Sequence, residues 1–362
     1  MSRDLSPGLA RHGRQNRLDD RFGGGGDFGM VRAVKSGENQ PLRVGVVGVG
    51  IMGANHARVF AGLPDVTLVG VADPSSQQRE LVTRILGVPA VEDIDGLLGP
   101  GLDAVTIAAP THLHCELALK CIERGIHVLI EKPIASNVKE GREIIAAAKR
   151  HGVKLMVGHV ERFNPAVQAI KDAIKDEDIL SIGITRVGPF PPRMSNVGVV
   201  IDLAVHDIDL IRWFTESDIV EVQPQLSSAV AEREDIALLQ FRTASGVLAH
   251  INTNWLTPFK ARTVHVATRR KYLIGDLLTR QVSECFGFQP DGSYSMRHLS
   301  VGHAEPLRSE LQSFVSAIRE NKTPPVTGEE GVESLDVAMR CLENRQPSKV
   351  ATRRPEPRRA AG

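Results

Sequence analysis

Asp202 and His206 stand four positions apart in the run Val199 to Phe214. That run carries apolar residues at helical spacing through Val205, Ile208, Leu210, Ile211 and Phe214. On a helix the two polar side chains share a face and can reach one small object. A carboxylate and an imidazole aimed at one point suit the oxidation of an alcohol. His206 can take a hydroxyl proton near neutral pH, while Asp202 orients the ring or the hydroxyl. Taken alone, the pair equally describes an aspartate capping a helix and a histidine packed on its first turn. The residues upstream decide what the pair is for.

Gly48, Gly50 and Gly53 form the pattern G-x-G-x-x-G, directly after the β-branched run Arg43 to Val47 and at the head of a helical run from Ile51 to Leu63. Three constraints call for glycine there: a tight turn, close approach of backbone to a pyrophosphate, and close packing of helix on strand. The free N–H groups of the first helical turn, at Ile51, Met52 and Gly53, then face the phosphates at the positive end of the helix dipole. The next strand, Val66 to Ala72, ends in Asp73. That is about 20 residues beyond the last glycine, where a carboxylate accepts hydrogen bonds from the adenosine ribose and repels a 2′-phosphate. NAD is expected, in preference to NADP. The plainer alternative makes Asp73 a turn residue before Pro74.

Three later strand ends carry polar residues. After the strand Asp103 to Ala109 come Pro110, Thr111, His112, His114 and Cys115. Pro110, Thr111 and His114 are candidates to line the cofactor. No second ligand cluster stands at zinc spacing, and Thr111 is expected to cap the helix that follows, so no metal is expected. After the strand His127 to Ile130 come Glu131, Lys132 and Pro133. Lys132 there would project a cation toward the nicotinamide end of the cofactor, on a turn fixed by the proline. After the strand Lys154 to Gly158 come His159, Glu161, Arg162 and Asn164. They offer donors and acceptors at a domain junction, where a substrate pocket is expected. Asn164-Pro165 also reads as a plain helix start.

Positioning these groups requires a particular framework. Helices Ser76 to Leu86, Leu113 to Arg124 and Val138 to His151 alternate with the strands named, and such alternation means a parallel sheet covered on both faces. From Ile179 the pattern changes to strands with period-two alternation: Ile179 to Val187, Ile219 to Val222, Asp235 to Phe241, Gly246 to Asn252, Arg262 to Ala267 and Lys271 to Ile274. Helices from about Glu305 to Asn321 and from Glu329 to Leu342 close the chain. The fold class is α/β, with a dinucleotide domain over residues 41–161 and a second domain over 162–345. Residues 1–40, with Gly23 to Gly26 and Met30 as a candidate start, read as a disordered extension, and 346–362 as a disordered basic tail. With 362 residues and a formal net charge of +1 there is room for two cores and no global attraction to nucleic acid or an anionic membrane. Four cysteines without a CxxC pair suit a reducing cytoplasm, no run is long enough to insert into a membrane, and no signal peptide is evident.

In order and spacing, Gly48-x-Gly50-x-x-Gly53, Asp73, Glu131-Lys132-Pro133 and Asp202-x-x-x-His206 resemble the glucose–fructose oxidoreductase / inositol dehydrogenase / rhizopine-catabolism (MocA-like) family over roughly residues 42 to 340. Within it, Val157 to Pro165 and Arg186 to Arg193 resemble the branch acting on UDP-amino sugars. The resemblance implies a Rossmann domain and a C-terminal domain with an open, mainly antiparallel sheet that pairs subunits into a homodimer or homotetramer. It implies Lys132, Asp202 and His206 as catalytic residues around a sugar's 3-hydroxyl. Arg162, Asn164 and Arg193 are candidates for the substrate's diphosphate and amide. A UDP-uronic acid, an inositol or a free sugar would use the same catalytic set. A non-catalytic dinucleotide-binding regulator, or an enzyme recycling a bound cofactor, are the further alternatives. Trp213 and Trp255 are expected in the core.

Overall fold

The computed structural model describes residues 40–99, 101–191 and 197–344. The expected tail, and all of the expected extension except Gln40, lie outside them. Six short strands make the first sheet: β1 (Leu42–Val47), β2 (Val66–Ala72), β3 (Ala90–Val91), β4 (Ala104–Ile107), β5 (His127–Glu131) and β6 (Leu155–Gly158). They lie parallel in the order β3-β2-β1-β4-β5-β6. Every residue of β4, β5 and β6 is buried, because helices cover both faces of the sheet. These are α1 (Ile51–Ala61), α2 (Ser76–Leu86), α3 (Ile94–Leu97), α4 (His114–Ile122) and α5 (Val138–His151). Local chemistry sets their ends: Ser75 and Asn137 cap α2 and α5 through their side chains, and Gly87 and Gly152 stop them in the left-handed conformation. The strand order reverses at β1, so a crevice opens beyond the carboxyl ends of β1 and β4.

α6 (Pro165–Ala173) leads into the second sheet. Its strands are β7 (Ile179–Pro189), β8 (Ile219–Ser227), β9 (Ile236–Thr243), β10 (Leu248–Asn254), β11 (Leu256–Thr268), β12 (Lys271–Asp276), β13 (Gln281–Phe286) and β14 (Ser295–His298). Their order is β14-β13-β12-β11-β7-β10-β9-β8, antiparallel throughout except for β7 with β10. β9 shows why one face is wet: Ala237, Leu239 and Phe241 point inward, Leu238, Gln240 and Arg242 outward. α7 (Val205–Thr215) supplies Ile208, Ile211 and Phe214 to the core of this half.

Four details depart from the sequence reading. β13 and β14 were not expected; β14 has all four residues exposed and no apolar signal to find. The four-residue α3 was missed for the same want of length. β11 starts at Leu256, ahead of Arg262, through an irregular stretch containing Pro258 whose register shifts against β7. Helices α8 (Pro306–Arg319) and α9 (Gly328–Glu343) do not stay with the second sheet. Leu311, Phe314 and Leu335 join the first core, whereas Val337, Ala338 and Cys341 join the second. Val157 N–H donates to the Val326 carbonyl (3.1 Å), so the segment ahead of α9 covers the edge strand β6. A cut at residue 161 therefore divides the sheets, not the cores. Among the described residues no helix is long and apolar enough to cross a membrane.

Candidate active site

The glycine loop is shaped as a phosphate cradle. Gly48 has φ +81°, and a Cβ there would stand 2.7 Å from the Ala109 backbone nitrogen. A Cβ on Gly53 would collide with the Gly48 carbonyl oxygen, while one on Gly50 would meet nothing within 4 Å. Two glycines thus close the loop on β4 and α1, and the third leaves an open approach. Gly50 caps α1 without a side-chain hydrogen bond, and the first intrahelical donor is Ala54 N. The N–H groups of Ile51, Met52 and Gly53 are left facing the crevice, and the exposure of Ile51 (71%) places that turn at the surface. These residues fit a dinucleotide. Asp73 Oδ2 accepts from Val49 N and its Oδ1 from Ser75 N, both at 2.8 Å. The carboxylate ties the glycine loop to the end of β2 and keeps lone pairs for a ribose.

The neighbouring strand ends carry the rest. Pro110 is exposed at the end of β4, and Thr111 opens a 3-10 turn without capping it. Its expected capping role is therefore corrected: Pro110 occupies the cap position, and the α-helix begins only at His114. His114 is 1% exposed, its Nδ1 2.9 Å from the Pro133 carbonyl and its Nε2 2.9 Å from the Ala109 carbonyl. It braces two loops against each other from beneath the crevice. Glu131 is also buried: Oε1 accepts from His56 Nε2 (2.9 Å) and Oε2 from Lys132 N (3.2 Å). Burial would raise its pKa, but His56 and Lys132 outweigh that and hold it below the ordinary value. Glu310 from α8 lies beside it, and His56, Glu131 and Glu310 have ligand atoms within 4.8 Å of one another. The direct His56–Glu131 hydrogen bond leaves no gap between them, and burial with the Glu131 charge pushes the Glu310 carboxyl far up, to the neutral form.

Lys132, followed by a cis bond to Pro133, reaches across to the second half. Its Nζ donates to the Asp202 carbonyl (2.7 Å) and to Asp202 Oδ1 (3.2 Å). An ammonium has three donors, so one remains for a third partner. Asp202 does not cap α7. It lies in a π-turn, Val200–Ala204, that precedes the helix, and such turns recur at functional sites. Glu234 replaces it at the helix start: its carbonyl accepts from Val199 N (2.9 Å) and its Oε1 from Val200 N (3.3 Å). Among the described residues no hydrogen bond joins Asp202 to His206; the aspartate's contact is with Lys132. The His206 ring is half-buried, with Nδ1 turned inward and Nε2 on the accessible side. Burial, then the charges of Lys132, Arg186 and Arg262, push its pKa well below the ordinary value, so the ring is neutral at neutral pH. Through Asp202 the ammonium is held on the segment that carries His206 four residues later.

Two expected substrate ligands are committed elsewhere. Arg162, 3% exposed, donates from Nε and Nη2 to Asp209 (2.7 Å each) and from Nη1 to Glu330 (2.6 Å). Asn164 caps α6 through Ala166 N (3.1 Å) and donates to the Leu277 carbonyl (3.1 Å). Both hold the junction together and present nothing to the cleft, which corrects the expectation of diphosphate and amide contacts. Arg193 lies outside the described residues. Arg262 was missed. It stands opposite Arg186 across β7 and β11, and the two share Glu161 Oε1 (2.8 Å from Arg186, 2.9 Å from Arg262). Arg186 is further clamped on Asp207, but the Arg262 guanidinium makes a single hydrogen bond among the described residues, is partly exposed, and has donors to spare. Its signal was an arginine placed two before the inward Val264 in a strand of period two. Trp255 is in the core, and Trp213 packs at its margin under Arg162.

A parallel six-stranded sheet with this cradle, beside an ammonium, a carboxylate and a neutral imidazole, defines an NAD-binding oxidoreductase. Residues 42–159 match the profile described as the oxidoreductase family with NAD-binding Rossmann fold, and residues 187–274 match the GFO/IDH/MocA C-terminal domain. Inositol 2-dehydrogenase of Rubrobacter xylanophilus is 31% identical over 342 residues, 88% of this chain and 96% of the relative. UDP-N-acetylglucosamine 3-dehydrogenase of Acidithiobacillus ferrooxidans is 28% identical over 302 residues, 82% and 95% of the two chains. A solved structure of the latter enzyme superposes with a TM-score of 0.79 at 27% identity, covering 84% of this chain and 97% of that one. The chain belongs to the GFO/IDH/MocA oxidoreductase family, whose named members here are dehydrogenases acting on the CH–OH groups of sugars and polyols.

Proposed function

We propose that the protein oxidises the 3-hydroxyl of UDP-N-acetylglucosamine to the 3-keto sugar. The observation that carries the chemistry is Lys132 Nζ held on both the carbonyl and the carboxylate of Asp202, four residues ahead of His206. NAD, bound over the glycine loop, supplies the acceptor for the hydride that leaves the carbinol carbon. His206 Nε2 takes the hydroxyl proton. The third donor of Lys132 bonds the oxygen as it becomes a carbonyl, and Asp202 fixes where that ammonium points. Ile51, Met52 and Gly53 bind the pyrophosphate through backbone N–H groups, and Asp73 takes the ribose hydroxyls and disfavours NADP. Pro110 and Thr111 line the path to Lys132, while His114 and Glu131 support that path from below.

The nucleotide-sugar assignment is supported by the likeness to the Acidithiobacillus enzyme, and Arg262, bonded only through Nη1 to Glu161 among the described residues, keeps donors for a phosphate or amide. A second reading, an inositol, draws on the commitment of Arg162 and Asn164 to the domain junction, which removes two of three candidate ligands for a diphosphate. Exposed Leu238, Leu248 and Ile274 on the outer face of the second sheet support pairing of subunits through that face. Reduction of NAD, followed by absorbance across UDP-sugars, free sugars and inositols, separates the readings. UDP-N-acetylglucosamine is expected to give the highest kcat/KM, by about tenfold or more over myo-inositol. An inositol preferred by that margin would replace the substrate, and no turnover with any of them would leave a nucleotide binder.

A further inference from the structure

We propose that His159 is a positioning residue that holds His206 in the tautomer with its proton on Nδ1, and that Asp209 anchors His159 from behind. The inference rests on His206 being the base of the reaction above. A ring that accepts a proton at Nε2 must already carry one at Nδ1, and that N–H needs an acceptor. His206 Nδ1 is buried and has no hydrogen-bond partner. Of the groups acting most strongly on it, Lys132, Arg186 and Arg262 only donate, whereas His159 has a lone pair.

His159 stands at the end of β6, 1% exposed, and both its ring nitrogens are unpartnered. Its ring meets that of His206 edge to face, with centroids 6.2 Å apart and planes at 84°. On its other side Nδ1 is 3.9 Å from Asp209 Oδ2. His206 and Asp209 are three apart on α7 and so lie on one face, which lets a single ring sit between them. Asp209 is itself immobilised by both arms of the Arg162 guanidinium and by Ser334 Oγ (3.3 Å). The groups facing His159 from the packed elements are Asp209 and His206 on α7, Arg162, and Lys132 and Glu131 after β5. Burial keeps the His159 ring neutral, and burial would raise the Asp209 carboxyl, but the charge and hydrogen bonds of Arg162 hold it below its ordinary value.

Those states order the protons. His159 Nδ1–H points to the Asp209 carboxylate, which leaves the Nε2 lone pair for His206 Nδ1–H. When the sugar reacts, its O–H bond breaks and a His206 Nε2–H bond forms; the hydride goes to the nicotinamide, and no proton leaves His159. The neutral acceptor stabilises the imidazolium formed, offsetting the cations that oppose it. Both contacts lie beyond bonding length here and close in the loaded site, as catalytic hydrogen bonds commonly do. Three orphaned buried nitrogens would otherwise each be a cost without a purpose.

The test is ring nitrogen NMR of the full chain labelled with 15N-histidine, with and without NADH, the His206 signals being assigned by their loss in His206→Asn. The wild type should show His206 protonated at Nδ1. His159→Gln, whose amide oxygen can accept, should keep that form, and His159→Phe should lose it. With a turned-over sugar, His159→Phe should lower kcat by about tenfold or more with KM little changed, and move the acid midpoint of kcat to lower pH; His159→Gln should recover part of the loss. A structural role alone would leave that midpoint in place. A wild-type ring protonated at Nε2, or a tautomer indifferent to His159→Phe, overturns the proposal; should His159→Phe not fold, the wild type and His159→Gln decide it. Absence of sugar turnover would sink the catalytic reading while the NMR result stood.

Discussion

The dinucleotide half makes its share of the site from backbone, and the second half makes its share from charge. In the first, glycines at 48, 50 and 53 shape a loop, a helix N-terminus supplies unpaired N–H groups, and the side chains other than Lys132 fasten loops together. In the second, Glu161, Arg162, Arg186, Asp207 and Asp209 are all nearly inaccessible and bonded to one another or to α9. Backbone sites depend on local geometry, and at Gly48 and Gly53 there is no room for an added atom. Charged networks depend on partners far along the chain, and desolvation makes each partner indispensable to the others. The lesson is that a single methyl group should damage the first half's function, whereas the second should fail by losing a charge.

Gly53→Ala is the sharpest probe of the first half. Its new Cβ collides with the Gly48 carbonyl, so NADH affinity by fluorescence titration should fall about 100-fold or more, which is about 2.7 kcal/mol or more. Retained affinity would mean the loop shifts freely and is no cradle. Arg162→Met is the corresponding probe of the second. It leaves the Asp209 carboxylate buried without its bidentate partner, so urea denaturation should register a loss of about 3–5 kcal/mol. NADH affinity of the folded fraction should change by less than about threefold, roughly 0.7 kcal/mol. If Arg162→Met instead abolished NADH binding with stability intact, the division between a backbone half and a charge half would be wrong.

The same division explains what could be read from the sequence. The glycine loop, Asp73, and the ends of α2 and α5 follow from neighbours within a few residues, and each stands where its pattern puts it. Arg162 and Asn164 looked like free donors because their acceptors, Asp209, Glu330 and Leu277, lie far away in sequence. Asp202 looked like a cap because nothing local reveals that Glu234 takes that place or that the chain widens into a π-turn there. α8 and α9 follow the second sheet in order, but α8 packs into the first core and α9 bridges both, a choice made by complementary apolar faces that single-sequence periodicity does not pair. Arg262 is legible only once β7 and β11 are known to be neighbours.

The claim on which the account turns is that one ammonium, from the first half, meets the imidazole of the second over a single carbinol. Lys132→Met tests it most directly, because methionine keeps the length of the stem and removes only the donor. NADH binding should stay within about threefold of the wild type while kcat with the preferred sugar drops by about 10²–10⁴. Near-normal turnover in that variant would remove Lys132 from the chemistry and with it the convergence of the two halves.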